Sequence, residues 1–72
     1  MSDLDARLLA AHEAGDRGAL VTLYTQAADA AGDPAAERFY LTHAYVFALE
    51  SGAEAATGLR RRLIDLGAEP KD

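Results

Sequence analysis

The chain has 72 residues, half of them apolar, and a net charge of −5 from 12 acidic and 7 basic side chains. Seventeen of the apolar residues are alanine, which leaves 19 larger ones for a core, and a chain this short buries only about 60% of the surface its unfolded form exposes. The lack of cysteine excludes a disulfide framework, a cysteine-ligated zinc site and a thiol nucleophile, and the acidic balance argues against general nucleic-acid binding, which needs a basic footprint.

Periodicity and punctuation predict four helices, over residues 2–14, 17–31, 34–51 and 54–66, and no strand, because no segment alternates with period two. In the first, Ser2 with Asp5 resembles a capping box, and Leu4, Leu8 and Ala11 make one apolar face at three-four spacing. Gly15 ends it and Asp16 opens the second, whose stripe is Leu20, Leu23, Tyr24, Ala27 and Ala31; Asp29 reads as exposed charge, and Gly32 as the stop. Asp33-Pro34 is the clearest start: Asp caps, and Pro fits the first helical position, where its missing N–H costs nothing. From Phe39 to Leu49 only Thr42 and His43 are polar, so the third helix is apolar nearly all round and is expected at the centre of the domain, covered on more than one side. Gly52 ends it. Ala56, Leu59, Leu63 and Leu66 stripe the fourth helix, which Gly67 closes. Gly18 and Gly58 fall inside helices at a cost of about 1 kcal/mol each. Close helix approach would account for them, and a later start of the second helix would equally account for Gly18.

The expected fold class is therefore all-α: one domain over 1–72, with four helices as two stacked antiparallel helical hairpins. The two halves also match each other. Glu13-Ala14-Gly15 recurs as Glu50-Ser51-Gly52, which sets Leu4, Leu8, Ala11 and Ala19 on Leu41, Tyr45, Ala48 and Ala56. Asp33-Pro34 recurs as Glu69-Pro70, which sets Leu23 and Ala27 on Leu59 and Leu63. The chain reads as two helix-turn-helix units, about 1–36 and 37–72. These units resemble the tetratricopeptide repeat superfamily, over nearly the whole chain. Gly15-Asp16 matches the turn between the paired helices, Tyr24 and Ala27 the aromatic and small residue of the second helix, and Asp33-Pro34 the closing turn, two residues late. The stretch from Gln26-Ala27-Ala28 through Gly32-Asp33 to Tyr40 is similar to the related Sel1-type repeats. The sequence departs from the pattern at Leu4 and Leu41, where a bulky aromatic is expected, and at Arg60, near the second unit's aromatic position.

The resemblance implies a groove lined by the first helix of each unit. In repeat register, Asp5, Leu9 and His12 of the first helix face the same way as Thr42, Val46 and Leu49 of the third, a mostly apolar strip suited to an apolar or helical segment of a partner protein. Four of the five aromatics, Phe39, Tyr40, Tyr45 and Phe47, cluster on the third helix, where core packing competes with a role, for Phe39 above all, in meeting another chain. Repeat folds bury a continuous core with about three units; with two, a homodimer is expected. Arg60-Arg61-Arg62 fan around the fourth helix, either as solvated charge near its C-terminus, with Arg61 spaced to pair with Asp65, or as a contact for an acidic partner segment. His12 and His43 are the groups with a natural charge change near neutrality. Asp5, His12 and Asp16 are too few and too loosely spaced for a metal site, and a bond from His43 to Glu50 would span about two turns. No cofactor and no catalytic step are expected, because no nucleophile–base pair or phosphate loop is visible. The expected work is that of a small protein–protein interaction module or adaptor. The alternatives are a regulator of one enzyme or transcription factor and, further off, a ligand-binding protein or enzyme using His12, His43 and the tyrosines. Met1-Ser2-Asp3-Leu4-Asp5 lacks the charge and apolar run of a secretory signal, and no apolar run would span a membrane, so a cytoplasmic location is expected. Six arginines to one lysine, with no asparagine, point to a GC-rich bacterial coding sequence.

Overall fold

A computed structural model describes residues 3–52 and 54–67. It is all-helical: α1 (Asp3–Ala14), α2 (Arg17–Ala30), α3 (Pro34–Ser51) and α4 (Ala55–Asp65), with no strand among the described residues. The predicted bounds are met to within a residue or two. The local signals explain why. Asp16 Oδ1 accepts the Ala19 N–H at 3.1 Å, and Asp33 Oδ1 accepts the Ala36 N–H at 2.9 Å with Pro34 in the first turn; each cap is worth about 1 kcal/mol. Gly15 and Gly52 turn the chain at φ 67° and 68°, in the left-handed region that a Cβ penalises. Gly32 does not act in this way. α2 closes instead on Ala31 in an extended conformation, its N–H bonded to the Ala28 carbonyl. Ser2 of the capping box and the Glu69-Pro70 recurrence lie outside the described residues.

Each helix packs its backbone on its neighbour in the chain, α1 on α2, α2 on α3 and α3 on α4, to give two helical hairpins in a slab of 35 × 29 × 12 Å. One core cluster joins Ala11 to Leu20 and Leu23, flanked by Leu4 and Leu8. The other joins Val21 and Ala28 of α2, Leu41, Ala44 and Ala48 of α3, and Leu59 and Leu63 of α4. The three alanines here show what the alanine-rich composition does: they let α2 and α3 approach closely, with Ala44 and Ala48 wholly buried. Tyr24 and Phe47 pack against both clusters.

α3 is covered on two sides, by α2 and by α4, as expected, but it shares the centre with α2 and is not covered all round. α2 buries five residues, Leu20, Val21, Leu23, Ala27 and Ala28, because it carries core on two faces. α3 buries three and leaves a large outer face open. Its apolar character continues past the surface its two neighbours can cover. The close-approach account of the internal glycines fails. A Cβ at Gly58 would meet nothing within 4 Å and one at Gly18 only Asp16 Oδ1 at 3.7 Å, while α2 starts at Arg17. Nothing in the structure explains glycine at either position.

Candidate interaction surface on the first and third helices

Spacing decides which side chains α3 presents outward. Leu41, Ala44 and Ala48 turn inward, so Phe39, Thr42, Val46 and Leu49, at three-four-three spacing, point the other way. Phe39, Val46 and Leu49 are 57%, 46% and 56% exposed, and Thr42 is exposed between them. On α1, Leu9 is 60% exposed, and Asp5 and His12 are exposed on the same flank. The six residues singled out from the repeat register, and Phe39 from the aromatic cluster, therefore all lie at the surface.

The α1 and α3 parts of this surface meet through a cluster of rings built on Tyr24 of α2. His12 Nε2 shares a hydrogen bond with Tyr24 Oη at 2.8 Å, and the two rings meet edge-on at 5.8 Å. His43 stacks on Tyr24 at 5.1 Å and 27°, and Phe47 at 5.9 Å and 16°. Phe47 also meets His12 edge-on at 5.8 Å, and Phe39 packs on His43 at 4.5 Å. Burial first, then the nearby Tyr40 hydroxyl, pushes the Tyr24 phenol above its ordinary pKa of 10.0. His43 donates from Nδ1 to the Phe39 carbonyl at 2.9 Å, which fixes its ring against the helix. The aromatic pile thus stands partly as core and partly as surface: Tyr40, Tyr45 and Phe47 are half-buried, Phe39 is open. In front of it, Thr42, His43, Val46 and Phe47 enclose a shallow, open depression of about 260 Å³. Sequence reasoning placed Tyr24 on its stripe but missed its role as the hub, since its ring partners come from α1 and α3.

The basic cluster is partly committed within the fold. Arg62 reaches Asp29 Oδ1 at 2.9 Å and Glu37 Oε2 at 3.2 Å, tying α4 to both α2 and α3. Asp29 is therefore paired rather than simply exposed. At a third exposed, Arg62 contributes on the order of 1 kcal/mol through this pair of contacts. Arg60 is half-buried, and of the three only Arg61 stands well out from the surface. The Arg61–Asp65 pair expected from spacing does not form within 4 Å, and Glu50 takes Arg17 at 3.0 Å rather than His43. A second depression, of about 560 Å³, runs between α1 and α2 along Ala10, Ala14, Gly18 and Thr22; the small residues at these positions are the signal that could have located it. No three His, Asp or Glu side chains converge on a possible metal position among the described residues. No described helix is long and apolar enough to cross a membrane.

Neither protein-family models nor searches of curated proteins and solved structures returned a match to this chain.

Proposed function

We propose that this protein is a small cytoplasmic interaction module or adaptor of the tetratricopeptide-like type, which self-associates and docks partners through the apolar faces of α1 and α3. One observation carries the reading. Leu9, Phe39, Val46 and Leu49 are the exposed large apolar side chains among the described residues, and all four lie on these two helices. Full burial of an exposed side chain of this kind is worth about 1.5–3 kcal/mol, and the half of each that is still open recovers about half of that, so the surface stores a driving force for association. The surroundings agree with docking rather than chemistry. His12 and His43 flank Tyr24 at an open apolar surface, with no closed polar pocket around them. No catalytic step belongs to this reading.

Sedimentation of the purified protein up to about 1 mM tests it. The wild type shifts from monomer towards dimer as concentration rises. Val46→Asp, at an exposed position where stability changes by no more than about 0.5 kcal/mol, stays monomeric while keeping its helicity. A wild type that remains monomeric throughout overturns the self-association.

A further inference from the structure

We propose that the second copy seats its α3 antiparallel on α3 of the first, about a two-fold axis, so that Arg38 of each copy meets Glu50 of the other. This rests on the reading of the outer face of α3 as a self-association surface and adds its geometry.

Residues four apart form ridges on a helix, and two helices pack when a ridge of one enters a groove of the other. Two such ridges run side by side on the open face of α3: Arg38–Thr42–Val46–Glu50, and Phe39–His43–Phe47. The 260 Å³ depression is the groove between them, with Thr42 and Val46 on one wall and His43 and Phe47 on the other. An incoming helix with a ridge of the same pitch fits this groove at a crossing of about −50°. The first ridge supplies that shape, and its order of charges selects the direction. It runs from cation through polar and apolar to anion, over about 18 Å. Laid antiparallel on its own image, it sets Thr42 against Val46 and Arg38 against Glu50, twice over, as an isologous contact requires. Laid parallel, it sets Arg38 on Arg38 and Glu50 on Glu50.

The charges are in a state to do this. The Arg38 guanidinium has no ion-pair partner among the described residues. Glu50 holds Arg17 through Oε1 alone, which leaves Oε2 for a second cation. The net charge of −5 on each copy opposes association in general, so apolar burial supplies the attraction and these pairs set direction and register. A single helix crossing falls below the ~1,200 Å² of the weaker interface class, so dissociation is expected at about 10–100 µM.

Charge reversal with mixing tests the geometry in sedimentation or light scattering, with circular dichroism to confirm folding. Arg38→Glu alone and Glu50→Arg alone each place like charges at both junctions, and each weakens the dimer at least about tenfold. An equimolar mixture of the two restores it, because every junction then joins unlike charges. Arg38→Lys, which leaves Glu50 and its bond to Arg17 untouched, dimerises like the wild type and keeps the test informative should Glu50→Arg fold poorly. Dimerisation of Arg38→Glu at wild-type strength, or a mixture that stays monomeric with both chains folded, overturns the antiparallel pairing. If Val46→Asp still dissociates the protein in that case, the α3 face survives as the interface and only the axis is wrong. If Val46→Asp also dimerises unchanged, self-association through α3 falls with it.

Discussion

Leu41→Ala removes a large share of the protein's stability and moves its unfolding midpoint far down. Leu41 has no exposed surface and packs in the cluster that joins α2, α3 and α4. Removing a buried leucine costs about 2–5 kcal/mol, the lost transfer energy plus the cavity left behind. At about 0.05–0.15 kcal/mol per residue, a chain of this length has only about 4–11 kcal/mol in total. The slab is thin, so few neighbouring side chains can move in to fill the gap. Leu49→Ala is the matched control: same chemistry, exposed position, an expected change of at most about 0.5 kcal/mol. Urea unfolding followed by far-UV circular dichroism compares them, and equal shifts in the two midpoints would contradict the core assignment.

Tyr24 gives the second large effect, with a signature in pH. Tyr24→Ala removes the ring on which His12, His43 and Phe47 converge, at a cost below the about 3–5 kcal/mol of a fully buried aromatic, because the ring is only half-buried. Tyr24→Phe keeps the stack and loses the bond to His12, about 1 kcal/mol. The phenol's pKa is raised in the folded protein, by burial and then by Tyr40. The fold therefore favours the neutral form more than the unfolded chain does. The stability this brings is complete below the unfolded value of about 10 and is lost as pH rises through the higher folded value. Thermal melts at about pH 8 and pH 11 should show the wild type losing more stability on the alkaline side than Tyr24→Phe. Equal losses would assign the alkaline sensitivity to other groups.

What the sequence disclosed follows from where each signal resides. Asp33-Pro34, Asp16, Gly15 and Gly52 act within a turn of their own position, and the chain folds there as local chemistry dictates. Leu59 and Leu63 are legible because α4 has one buried side, where a three-four stripe stands out. Val21 and Ala28 escaped because α2 has two buried sides, and a second stripe blurs the first. The tie from Arg62 to Asp29 joins residues far apart in the chain, and only the packing of α4 across α3 brings them together. The outward position of Phe39, Val46 and Leu49 follows from helical register alone. That they stay uncovered depends on how many neighbours α3 acquires, and no local pattern encodes that number. Arg61 and Asp65 teach the converse: correct spacing permits a pair, and two exposed side chains gain too little to hold it.

The succession of α1 on α2, α2 on α3 and α3 on α4 bears on how quickly the protein forms. Every backbone partnership joins consecutive segments across turns of a few residues, so closing each one costs little chain entropy. Such low contact order belongs to chains that fold within about microseconds to milliseconds, a range that temperature-jump relaxation resolves. The same succession leaves α1 and α4 with a single backbone neighbour each, supplemented by side-chain ties only. Opening is therefore expected to begin at α1 and α4, with α2 and α3 the last pair to separate.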